Sequence, residues 1–165
     1  MKTISEAGKH FDWIHPDPDR SVYELRSGEE IVASLACESS IDSATAETSG
    51  GAFELKRFGY ANPHVLVRKK GGEKEEARFD SSETEPGLLK LANGRQFHWE
   101  GHLWRAEWAW NATSGDRVVS FKRDFEVGEK HEGSVEVHGE SPHLDLLILV
   151  GWYLILIAAT SSGGE

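Results

Sequence analysis

Cys37 is the single cysteine among 165 residues. No intramolecular disulfide can form, and zinc sites built on several thiolates are excluded. The expected role of Cys37 is that of a small, half-buried side chain in a strand. Basic charge is scarce as well: 18 Lys and Arg face 28 Asp and Glu, for a formal charge of −10. Binding to nucleic acid is therefore not expected, because phosphate contacts need basic surface. A uniform negative charge also disfavours anionic membranes, although one basic face can still act locally. The opening stretch Met1–His10 lacks the continuous apolar core of a secretory signal, so a reducing, intracellular and cytoplasmic setting is expected. In that setting the sequon Asn111-Ala112-Thr113 has no role.

Catalytic signatures are missing too. The chain contains no nucleophile elbow, phosphate loop, dinucleotide fingerprint or His-Glu-x-x-His run. Ser49-Gly50-Gly51 and Ser162-Gly163-Gly164 read as a turn and a tail. The expectation is a chain that is not an enzyme and needs no cofactor or metal. An acid–base pair assembled only by the fold would escape such a search.

What is present is a succession of short apolar–polar alternations joined by turn dipeptides. Residues 1–20 read as a polar lead-in ending in His15-Pro16-Asp17-Pro18-Asp19, where two prolines oppose regular structure. Beyond it the alternation predicts strands at Val22–Arg26, Ile31–Cys37, Ala44–Thr48, Ala52–Arg57, His64–Lys69, Glu75–Asp80, Leu88–Ala92, Gln96–Trp99, Leu103–Trp110, Arg117–Lys122 and Ser134–His138. Gly50-Gly51, Gly71-Gly72 and above all Asn93-Gly94 are hairpin signals, since such turns need positive φ. Hairpins at this regular spacing argue for an antiparallel sandwich or barrel. Trp104, Ala106, Trp108 and Trp110 share one strand face, which is expected to point inward.

The end of the chain differs in kind. Leu146–Ala159 carries no charge and is too long for a strand. Ser141 suits an N-cap, Pro142 the first helical position and Asp145 the first turn, so a helix over 142–160 is expected. A helix apolar on every side must be surrounded by protein or by lipid. Length does not separate the two: about 28 Å of helix matches both a strand of eight or nine residues and a bilayer core of about 30 Å. Burial in protein is favoured by the absence of flanking Lys or Arg and by strands that need a filling. A tail anchor on a cytosolic β-domain is the alternative.

A β-rich chain ending in one apolar helix resembles the tubby C-terminal-like superfamily, and within it the LURP-one-related branch akin to phospholipid scramblases. The likeness rests on Gly101–Trp108, Val118–Arg123, Gly133–His138 and Leu144–Ala159, with the earlier hairpins fitting the same plan over about residues 20–160. The resemblance implies a mainly β fold, a closed antiparallel barrel of about eleven or twelve strands around a buried hydrophobic C-terminal helix. The division it implies is a lead-in over 1–20, a barrel domain over 21–160 with its central helix at 142–160, and a tail over 161–165. It also implies a non-enzymatic protein that binds phospholipid or phosphoinositide headgroups, or a partner protein, at its surface, and so lies peripheral to a membrane. No lipid-binding residue of the family aligns one by one with this chain, and the cysteine-rich palmitoylation segment of scramblases is lacking.

Seven of the eighteen basic residues fall within Lys56–Arg78: Lys56, Arg57, Arg68, Lys69, Lys70, Lys74 and Arg78. On adjacent hairpins they are a candidate patch for an anionic ligand. The competing reading is a solvated edge whose charges prevent sheet-to-sheet aggregation. The eight histidines read as surface residues. His98 and His102 are separated by Gly101, read as a turn, and a metal site using His10 or His15 would need partners from elsewhere in the chain.

Overall fold

A computed structural model describes the chain except for Ser39, Tyr60, Leu103, Trp104, 125–130 and 164–165, with backbone alone at 160–163. A one-turn helix α1 (Ile4–Ala7), capped by the Thr3 hydroxyl accepting from the Glu6 N–H, leads into twelve strands. These are β1 (His10–Ile14), β2 (Val22–Ser27), β3 (Glu30–Cys37), β4 (Ser43–Thr48), β5 (Gly51–Phe58), β6 (His64–Lys69), β7 (Glu75–Asp80), β8 (Leu88–Leu91), β9 (Gln96–His102), β10 (Glu107–Ala112), β11 (Arg117–Arg123) and β12 (His131–Val137). Each pairs antiparallel with its sequence neighbours, and β1 pairs with β12 to close the barrel. Helix α2 (Leu144–Gly163) follows.

Period-two burial explains the strands. Along β5, Phe53 and Leu55 face inward, while Glu54 and Lys56 face out; along β7, Ala77 and Phe79 are buried between more exposed neighbours. Connections alternate between two ends. Tight turns such as Gly28-Glu29, Ser49-Gly50 and Asn93-Gly94 cluster with α1 and the start of α2 at one end. Longer loops, including 38–42 and 81–87, lie at the other end, towards which α2 runs.

Helix α2 fills the barrel, as its lack of any polar face requires. Leu146 to Ile157 are buried without interruption. Strands on several sides grip it: Trp13 of β1 stacks on Trp152 at 4.7 Å, and the Trp110 Nε1–H of β10 donates to the Leu147 carbonyl at 2.7 Å. Beyond the β3 strand, the Ile41 carbonyl accepts from the Tyr153 hydroxyl at 2.5 Å. Among the described residues no helix is long and apolar enough to cross a membrane.

Three sequence expectations shift. The lead-in is part of the barrel, because Phe11 and Trp13 alternate inward ahead of the prolines and β1 supplies the closing strand. The helix starts at Leu144 rather than Pro142; the Ser141 hydroxyl accepts from the His143 N–H, and the first turn closes from Leu147 N–H to the His143 carbonyl. At its other end α2 continues to Gly163, through residues read as a tail. Gly101 lies inside β9 rather than at a turn, and β10 begins at Glu107 after Ala106, whose φ of 53° leaves the strand region. Trp108 and Trp110 do face inward; Trp104 lies outside the described residues.

Two glycines set how closely wall and axle approach. A Cβ on Gly151 would stand 2.4 Å from Phe121 Cζ and 2.9 Å from Trp110 Nε1, and one on Gly133 would meet the Lys122 carbonyl oxygen at 2.5 Å. Gly151→Ala, a change that favours an isolated helix by about 1 kcal/mol, is expected instead to destabilise this protein by about 1–3 kcal/mol through overpacking. Urea unfolding followed by tryptophan fluorescence checks the sign.

Candidate functional site

With α2 in the bore, ligand chemistry has to sit on the outer wall or at the ends. Strand register decides which basic residues meet. Lys56 of β5 lies opposite Leu66 of β6, Leu66 opposite Arg78 of β7, and Arg78 opposite Lys90 of β8. All four side chains leave the same face, so three cations form one row around the largely covered Leu66. Neighbouring strands are about 4.8 Å apart, which puts Lys56 and Lys90 roughly 14 Å from each other. Arg78 makes one long contact, 3.9 Å, to Glu75, and neither Lys56 nor Lys90 has an ion-pair partner among the described residues. The next outward position on β5 is Phe58, 53% exposed.

The remaining predicted residues separate from this row. Arg68 also faces out, but Glu54 and Glu75 flank it in register. Lys69, Lys70 and Lys74 are exposed at the β6–β7 turn, on the rim beside Glu73. Arg57 has the inward parity of Phe53 and Leu55; its side chain is 8% exposed and its guanidinium donates to Asp42 Oδ1 at 2.6 Å. It is therefore part of the barrel mouth rather than of an outer patch. The closed barrel also has no edge strand for these charges to protect, which removes the edge-blocking reading. Lys90 escaped the sequence reading, because only the β7–β8 register carries it to Arg78.

The mouth towards which α2 runs carries a second polar group. Arg123 donates to Glu132 at 3.4 Å, His15 Nδ1 lies 3.3 Å from the same carboxylate, and the His15 ring stacks on Tyr23. Burial pushes the Tyr23 hydroxyl pKa up, with Cys37, Glu132 and Arg123 acting on it. Tyr153 is likewise raised, first by burial and then by Cys37. Burial raises the Cys37 thiol to about 11. Tyr23, Tyr153 and Cys37 thus hold their protons, and the Cys37 thiol is not a nucleophile at neutral pH.

Elsewhere the fold does assemble an acid–base pair invisible in sequence. Ser120 Oγ stands 2.7 Å from His138 Nε2, in a groove of about 290 Å³ over β10–β12 that Glu107, Lys122, Ser134 and Glu136 help to line. Both side chains lie on an open wall, and no carboxylate among the described residues is hydrogen-bonded to His138 to orient it. His98 and His102 share the outer face of β9, but four residues of strand separate them by about 13 Å, too far for one metal ion.

The raised Cys37 value has a sign that can be tested. The thiol is ordinary when unfolded, near 8.5, so at pH 8 native labelling by a thiol reagent should be far slower than labelling in urea. The native rate should climb until about pH 11. Because the folded pKa is the higher one, the associated stability is complete below about pH 8.5 and lost as pH rises towards 11. Equal labelling rates at pH 8 in native buffer and urea would show that the thiol is not shielded.

Comparison with protein-family models, with curated proteins and with solved structures finds no match to this chain.

Proposed function

We propose that this chain is a non-catalytic barrel of the tubby-like kind that binds anionic phospholipid headgroups on the wall of β5 to β8. The observation that carries the reading is the register row Lys56–Arg78–Lys90: three cations on one face of a protein whose net charge is −10. A ligand at the row is attracted locally, because the Debye length is about 8 Å at physiological ionic strength and more distant acids are screened. Lysine and arginine donate charge-assisted hydrogen bonds to phosphate oxygens. Phe58, next along β5, offers an apolar side chain at the same surface.

Tail anchoring is the weaker alternative. It would require α2 to leave the bore, stripping Trp13, Trp110 and Phe121 of the groups they pack against. An emptied core of that size costs far more than the few kcal/mol of a single cavity.

The two are separable by flotation with vesicles containing a phosphoinositide. A headgroup reader is expected to float at low salt and to be released by high salt without detergent. Each surface cation contributes about 1 kcal/mol, so Lys56→Glu, Arg78→Glu and Lys90→Glu together should lower partitioning by about a hundredfold or more. Charge reversal at the Lys69, Lys70 and Lys74 rim should matter less. Failure to float, or flotation indifferent to the triple reversal, would remove the headgroup reading; release only by detergent would favour the anchor.

A further inference from the structure

The outward positions next to the Lys56–Arg78–Lys90 row, one step nearer the mouth towards which α2 runs, form a second row that carries two histidines. Phe58 of β5 lies opposite His64 of β6, Asp80 of β7 opposite Leu88 of β8, and Leu88 opposite His98 of β9. His64 and Asp80 meet directly, with Nδ1 and Oδ1 2.7 Å apart. Their side chains are 42% and 47% exposed, and His98 is exposed as well. Strands about 4.8 Å apart, with outward positions about 6.8 Å apart along each, put His64 about 8 Å diagonally from both Lys56 and Arg78. His98 stands in the same diagonal relation to Lys90, which pairs with Gln96.

Resting on the headgroup reading above, we propose that His64 and His98 make anionic-lipid binding on this wall pH-dependent, tightening it as the medium turns mildly acidic. The groups facing His64 are Phe58 and Lys56 from β5, Asp80 and Arg78 from β7, and Arg68 along its own strand. Ser81 ties the 81–87 loop, which carries Glu83 and Glu85, to this corner by donating to the Pro63 carbonyl at 2.9 Å. His98 faces Leu88 and Lys90 from β8 and Asn111 from β10, and Glu100, next along β9, is held by Arg117 at 2.7 Å. At neutral pH and above, the Asp80 carboxylate and that of Glu75, 3.9 Å from Arg78, oppose an incoming phosphate. Imidazole changes charge between about pH 5 and 8. Acidification therefore sets a cation directly against Asp80 and another beside Lys90, both within about one Debye length of the row. The phosphodiester of a lipid keeps its negative charge over the same range. An anionic membrane at about −30 mV concentrates protons near its surface about threefold, so the change falls at a higher bulk pH for the protein at the membrane than for the protein in solution.

The test is flotation of the full chain at pH 7.5 and 5.5 with vesicles of phosphatidylcholine and about 30% phosphatidylglycerol, a lipid whose own charge is constant between these values. Each added charge is worth about fivefold in partitioning, so the wild type should bind about tenfold or more tightly at pH 5.5. His64→Gln with His98→Gln should cut that rise to about twofold or less. His10→Gln with His138→Gln, on β1 and beside β12 across the barrel, should keep it. Asp80→Asn should move the other way, raising partitioning at pH 7.5 by about fivefold, a gain that a folding defect cannot produce. Failure of the wild type to float at either pH removes the headgroup reading and the pH dependence with it. Flotation equal at the two pH values overturns the pH dependence alone, as does a rise that survives loss of His64 and His98. A rise lost equally in His10→Gln with His138→Gln overturns it too, because the response would then belong to the net charge of the chain.

Discussion

Everything else depends on enclosing a helix that has no polar side. An isolated α2 would expose Leu, Ile, Val, Trp and Tyr to water in every direction, and a barrel of twelve strands without it would hold a bore lined by Trp13, Phe53, Leu55, Phe79, Trp110 and Phe121. Neither half is stable alone, because each is the solvent of the other. A helix with side chains is about 10–12 Å across, and at the points of closest approach glycine replaces a side chain: Gly151 on the helix, Gly133 on β12. The fit also carries a cost. The indole N–H groups of Trp13 and Trp152 are buried with no hydrogen-bond partner among the described residues, a penalty that the stacking of these two rings offsets only in part.

A filled bore decides where function can reside. The barrel is no container, so the interior chemistry is confined to sealing. At the mouth towards which α2 runs, Arg57 pairs with Asp42, and Arg123 with Glu132 and His15, so inward-facing cations there meet carboxylates. At the opposite end α1 and tight turns gather, and Asp145 in the first turn of α2 accepts from the Thr48 hydroxyl at 3.4 Å. The acid suits a helix N-terminus. With the bore filled, recognition is left to the outer wall and to the ends, where a groove of about 410 Å³ lies between α1 and the start of α2.

How much of this could be read from residues follows from the range of each signal. Hairpins were legible because glycine-bearing turns and period-two alternation are local, and α2 because a long uncharged run is local. Strand β1 was hidden by its neighbours: Pro16 and Pro18 describe the loop after it, not Phe11 and Trp13 before them. The basic residues were legible as a stretch but not as a surface. Arg57 and Lys56 are adjacent in sequence and on opposite faces of β5, while Lys90 joins Arg78 only through pairing. Asp12 and His131 are the extreme case, since closure of the sheet alone brings them within hydrogen-bonding distance.

That dependence on pairing is a general consequence of a closed sheet. With no edge and no open bore, each strand position has two options, packing against α2 or standing on the wall, and the wall's chemistry is written in rows perpendicular to the strands. A row such as Lys56–Leu66–Arg78–Lys90 collects one residue from each of four hairpin strands, and a one-residue slip in β5, β7 or β8 would take its cation off this face. Register therefore has to be held more firmly than a loop-borne site would need, and what holds it is the inward half of the same strands. Phe53, Leu55, Val65, Val67, Ala77, Phe79, Leu89 and Leu91 can fill the space around α2 in only one phase. The buried helix thus fixes the spacing of charges on the opposite face of the wall without touching any of them.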